Sequence, residues 1–126
     1  MKRFLAFFSM LILGIAFVSF TLSQTGSPSA QMPDNVKAAV DKACFACHNT
    51  ASQNAKAKEK LDFSTLSGLA KAAQIGKYRE IGETIENGEM PPKKFLDNYP
   101  DKKLTAEESK LLIKWAEGEV KNLMKK

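Results

Sequence analysis

At 126 residues the chain has room for one domain with a modest core. A net charge of +5 is mild, and no basic stripe with interleaved aromatics occurs, which excludes a nucleic-acid role. Two cysteines and one histidine fall one ligand short of a four-coordinate structural zinc site.

The chain opens with Met1-Lys2-Arg3, a short positive segment, followed by Phe4 to Phe20, which is apolar apart from two serines and a glycine. Residues 1–23 are expected to be a signal peptide or an uncleaved N-terminal anchor. The apolar run is a little long for the first and barely long enough for the second. It has no polar face, which disfavours a buried core helix. Lys2 and Arg3 stay inside, no Lys or Arg follows before Lys37, and so the domain is exported. The expected location is periplasmic, soluble or tethered to the inner membrane by residues 4–20. Removing residues 1–23 takes away Lys2 and Arg3 and no acidic residue, which lowers the net charge from +5 to +3. The uncharged, Ser/Thr/Gln/Gly/Pro-rich stretch at 21–33 points to a flexible linker, set at residues 24–34, leaving a domain at 35–126.

Pro33-Asp34-Asn35 is a helix start, and Val36, Ala39, Val40 and Ala43 follow at helical spacing, so a helix is expected over 35–47. At its C-terminal end stands Cys44-Phe45-Ala46-Cys47-His48, which holds both cysteines and the only histidine. The spacing C-x-x-C-H is the attachment signature of a c-type haem. Two thiols add across the two porphyrin vinyl groups, and two intervening residues let them reach both edges of one ring. The adjacent histidine is then carried under the ring to bind iron from the proximal side. Two other readings compete: a plain disulfide, or a redox-active dithiol. The latter usually follows a strand, and no strand pattern occurs near it. Export suits haem attachment and permits a disulfide as well.

Residues 49–62 read as a polar loop with a helical turn around Ala55–Lys60, where Lys56, Lys58 and Lys60 form a solvated face. Two short helices are expected at 64–74, capped by Ser64 or Ser67, and at 77–87, with a break or bend at Gly76 and Gly88 as the residue past the end. Met90-Pro91-Pro92 is held extended by its prolines. Residues 93–104 read as a loop with Phe95, Leu96 and Tyr99 as burial candidates. Thr105-Ala106-Glu107-Glu108 is a capping box opening a last helix over 106–123, with Leu111, Leu112, Trp115, Ala116, Val120 and Leu123 on one face. Nothing reads as a strand, and the expected fold is all-α.

With His48 as fifth iron ligand, the candidates for the sixth are few. Met1 and Met10 lie in the export segment, Met32 in the linker, and Met124 near the C-terminus. Met90 sits in a proline-stiffened loop between helices, which can hold a thioether against iron; core gap-filling is the alternative. Trp115 and Tyr99 are read as core aromatics in preference to haem-propionate donors.

Cys44-Phe45-Ala46-Cys47-His48-Asn49, Leu61-Asp62-Phe63, Gly88-Glu89-Met90-Pro91-Pro92, and Leu104 to Glu108 through Leu112-Ile113-Lys114-Trp115 occur in this order. Together they resemble the small haem-binding-domain family of bacterial monohaem cytochromes c, over residues 36–120. The resemblance implies a small, class-I-like, all-helical cytochrome fold wrapped around one covalently attached haem c, with Met90 as distal ligand. Two departures stand out. Many members carry a Tyr-Pro-Trp-Tyr-like segment soon after the haem motif, whereas residues 49–60 hold no aromatic and no proline, so the acceptor for the His48 ring N–H is unassigned. Many also have His-Pro where this chain has Tyr99-Pro100.

The expected function is that of a one-electron carrier between redox partner proteins, monomeric and not an enzyme, since no catalytic base or nucleophile signal is visible. A haem-based gas or peroxide sensor, or a small haem enzyme with an open distal site, is the alternative.

Overall fold

The computed structural model describes residues 32–125. The segment expected to direct export, residues 1–23, lies outside these residues, as does most of the stretch read as a linker. Five α-helices follow in order: α1 (Asp34–Ala43), α2 (Ala55–Lys60), α3 (Lys71–Glu86), α4 (Lys93–Asn98) and α5 (Ala106–Lys125), with 3-10 turns at Leu66–Gly68 and Pro100–Lys102. No strand occurs among the described residues, and no helix among them is long and apolar enough to cross a membrane.

The core is built where α1, α3 and α5 meet. Val36, Ala39 and Val40 of α1, Tyr78, Ile81 and Ile85 of α3, and Leu112 and Ala116 of α5 are buried together with Leu66. The spacings are those of single helix faces, as the sequence predicts for α1 and α5. Small residues at the contacts let the backbones approach: Ala39 and Ala116 are each 2% exposed or less. Met32, in the stretch read as linker, is half-buried against this core. Trp115 meets Tyr78 edge to face, with centroids 5.3 Å apart at 87°, a favourable arrangement of the ring quadrupoles.

α5 begins with the reciprocal cap expected of its sequence. The Glu108 N–H donates to Thr105 Oγ1 at 3.1 Å, and the Thr105 N–H donates to Glu108 Oε2 at 2.8 Å.

Five expectations are corrected. The first helix ends at Ala43, so the haem-motif residues form turns beyond it. Gly76 does not break the chain: α3 runs unbroken from Lys71 to Glu86, because a glycine's cost of about 1 kcal/mol is outweighed by the burial of Tyr78, Ile81 and Ile85. The stretch before it holds only the 3-10 turn, and no side chain caps it. The loop at 93–104 contains α4, started after Pro92, whose fixed φ suits that position. Within it Phe95 and Leu96 are half-buried, but Tyr99 is 52% exposed and leans on Phe95 instead of entering the core.

Candidate functional site

A cavity of about 470 Å³ opens beside the three-helix core. Its wall comes from two chain segments. The first runs from Ala43 to Phe63 and the second from Lys77 to Phe95; α5 contributes nothing. Leu61, Phe63, Ile81, Ile85 and Pro91 make much of the wall apolar, while Lys60, Lys77, Glu80 and Glu89 bring charge to it.

The first segment delivers the motif. After α1 ends, the Cys44 and Phe45 N–H groups both donate to Val40 O, at 2.8 and 2.9 Å. The Cys47 and His48 N–H groups then both donate to Cys44 O at 3.1 Å. This tight turn places residues i, i+3 and i+4 on one side: Cys44, Cys47 and His48 line the cavity, whereas Phe45 and Ala46 are exposed. Both cysteines are free thiols. Burial, and secondly the neighbouring Cys47, pushes the Cys44 thiol up to about 11. That is the reverse of the lowered value that activates a thiol–disulfide exchange pair.

His48 is oriented by backbone alone. Its Nδ1 lies 3.0 Å from Ala57 O and 3.0 Å from Leu61 O. Carbonyl oxygens only accept, so Nδ1 carries a proton and donates, which makes Nε2 the lone-pair nitrogen of the neutral ring. The acceptor left open by the sequence is therefore a pair of carbonyls at the end of α2. Leu61 O and Ala57 O are presented together because the Leu61 N–H also donates to Ala57 O, at 3.0 Å, and Asn54 Oδ1 caps α2 by accepting from the Ala57 N–H at 3.1 Å.

The second segment delivers Met90. α3 ends in a Schellman motif: the Gly88 N–H donates to Ile85 O at 3.1 Å and the Glu89 N–H to Thr84 O at 2.9 Å. Gly88 has φ of +69°, the left-handed conformation that glycine adopts without penalty, as expected of its place past the helix end. The reversal brings half-buried Met90 and buried Pro91 to the cavity wall, and Pro92 and Phe95 continue it. Lys93 and Lys94 are exposed between those two lining residues.

The four sequence-predicted residues, Cys44, Cys47, His48 and Met90, thus share one cavity. Trp115 and Tyr99 do not line it, and Trp115 belongs with the core. The sequence reading expects Ile81 and Ile85 on an apolar stripe of the helix at 77–87 but does not assign that helix to the site, whereas Lys77, Glu80, Ile81, Thr84 and Ile85 supply a large part of the wall. Their 3, 4, 7, 8 spacing falls within the helix expected at 77–87, but nothing in the sequence says that this face meets the haem-motif segment.

Residues 50–118 match the haem-binding domain family, and the chain belongs to it. The match begins two residues after His48, so the C-x-x-C-H motif lies just outside the matched span. No curated protein and no solved structure matches this chain. The donor chemistry suits the family's cofactor: two thiols, an imidazole with a fixed tautomer and a thioether surround an apolar-walled cavity within the size range of cofactor sites.

Proposed function

We propose that this haem-binding domain is an exported monohaem c-type cytochrome that carries one electron at a time between partner proteins. The reading is supported above all by one observation: Cys44, Cys47 and His48 of the C-x-x-C-H motif and Met90, far from them in sequence, line the same cavity. Cys44 and Cys47 would hold the porphyrin through two thioethers, and His48 Nε2 and the Met90 thioether would ligate its iron. When bound, haem supplies a reversible one-electron couple at its iron.

The protein's own contribution is positional. The turn after α1 sets the two thiols on one side, and the Ala57 and Leu61 carbonyls hold the imidazole and raise its basicity. The Leu61, Phe63, Ile81 and Ile85 side chains exclude water and lower the local dielectric. Histidine–methionine ligation raises the potential.

The test is an absorption spectrum of protein produced with haem-attachment machinery, oxidised and reduced, followed by denaturing electrophoresis and acid–organic extraction. Haem should stay with the polypeptide. Cys44→Ala should leave one thioether and the double cysteine variant none. A colourless protein, or haem that extracts freely, overturns the reading.

A further inference from the structure

The segment that carries the His48 acceptors is itself tied down next to His48. The Phe63 N–H donates to His48 O at 3.0 Å, and the His48 ring donates to Leu61 O at 3.0 Å. Residue 62 therefore lies between two backbone positions that grip His48. Its side chain makes the remaining tie. Asp62 Oδ2 accepts from the Thr50 hydroxyl at 2.6 Å, and Asp62 Oδ1 accepts from the Ser64 N–H at 2.8 Å. Thr50 is two residues beyond His48, so the chain leaving the histidine and the chain presenting its acceptors are cross-linked. Lys58 Nζ reaches Thr50 O at 3.5 Å from the same side. Neither Thr50 nor Asp62 lines the cavity.

We propose that Asp62 is a positioning residue for the His48 imidazole: by joining Thr50 to the 61–63 backbone it holds the Leu61 carbonyl on Nδ1 and thereby sets how strongly the ring donates electrons to a bound iron. The proposal rests on the reading of His48 as an iron ligand. The physical link is short. An imidazole whose Nδ1–H is firmly accepted is the more basic ligand, and a more basic ligand favours oxidised iron. Loosening the 61–63 backbone lengthens that hydrogen bond, weakens the donor and favours the reduced state.

The test uses the holoprotein, with two readouts: the exchange rate of the His48 Nδ1 proton by NMR in the reduced state, and the midpoint potential. Asp62→Ala should exchange that proton at least tenfold faster. At fixed ambient potential its reduced-to-oxidised ratio should rise about threefold, or ~28 mV at 59 mV per decade. Asp62→Asn should stay near wild type, because its amide can donate to the Thr50 hydroxyl while its carbonyl accepts from the Ser64 N–H. Thr50→Val should move both readouts in the same direction as Asp62→Ala by a smaller factor, and it decides the matter if Asp62→Ala does not fold.

Unchanged exchange and potential in the alanine variant, with or without a lower melting temperature, overturn the proposal. So does an asparagine variant that shifts the potential as far as alanine, which would assign the effect to the charge. Wild-type protein without bound haem overturns this proposal and the cytochrome reading together. Normal haem attachment with unmoved readouts in Asp62→Ala overturns the role of Asp62 alone.

Discussion

Lys42 of α1 holds the Glu108 carboxylate of α5 with both oxygens in reach, at 2.7 and 3.0 Å, and the same Glu108 closes the cap of its own helix by accepting from the Thr105 N–H. One side chain thus fixes the start of α5 and ties it to the helix that leads into the haem motif.

This double duty can be separated by substitution. Thr105→Ala removes the cap and should cost about 1 kcal/mol. Glu108→Gln keeps an acceptor for the Thr105 N–H but loses the ion pair. The side chains are 28% and 27% exposed, so solvent screens them and the loss should be only about 0.5 kcal/mol. The pH dependence has a definite sign. The Lys42 ammonium, and then the Thr105 N–H, hold the Glu108 carboxyl below the usual range. A folded-state value below the unfolded one gives stability that is present above about pH 4.3 and is lost as pH falls through the folded value. Denaturant unfolding of the holoprotein at pH 7 and near pH 3.5 should show a smaller acid loss for Glu108→Gln than for wild type. Equal losses would remove Glu108 from the account of acid sensitivity.

Met90 separates a carrier from a sensor. With its thioether on the iron, external ligands must displace it first. Met90→Ala should lower the potential, abolish the weak near-infrared sulfur–iron band of the oxidised protein, and let carbon monoxide bind readily. Wild-type protein that already lacks the band and takes carbon monoxide as fast as the variant would make Met90 packing only, and would favour the open-site sensor or enzyme.

Gly88 should act on the same property at a distance. Its φ of +69° imposes a penalty on any residue with a Cβ, although a Cβ there meets nothing within 4 Å. Gly88→Ala should therefore cost about 1 kcal/mol from backbone conformation alone. Because the turn at Gly88 aims the chain towards Met90, carbon monoxide should also bind the variant faster than wild type. A stability loss with unchanged carbon monoxide binding would show that Pro91 and Pro92 suffice to place the methionine.

Lys93 and Lys94 stand exposed between two cavity-lining residues, Pro92 and Phe95. If they steer an acidic partner, electron-transfer rates should fall as salt is added, and reversing both charges should flatten that dependence. The measurement is stopped-flow transfer to the physiological partner across a range of ionic strength. A rate that ignores salt in the wild-type protein would leave the two lysines as solvated surface.

Much of the candidate site was legible because it is written in side chains at short, fixed spacings. Cys44, Cys47 and His48 are adjacent, and Met90 is marked by its prolines. The capping box at Thr105 and the terminal Gly88 are local hydrogen-bond devices, and local sequence specifies them. The acceptors of His48 were illegible for the opposite reason: Ala57 and Leu61 act through carbonyls, which every residue carries. Gly76 misled because propensity is a small local term that three buried side chains on α3 override. Tyr99 misled because a large ring near a proline can as well lean on Phe95 at the surface as enter the core.

Ile81 and Ile85 belong at once to the buried core and to the cavity wall. Each presents one flank to the buried core and another to whatever fills the cavity. Folding and cofactor loading therefore share atoms, and whatever occupies the cavity also supports the three-helix junction. The empty and loaded polypeptides should differ in heat resistance as well as in colour. A cell could distinguish them by that softness alone, since a protease that samples openings of the junction would remove the unloaded form first.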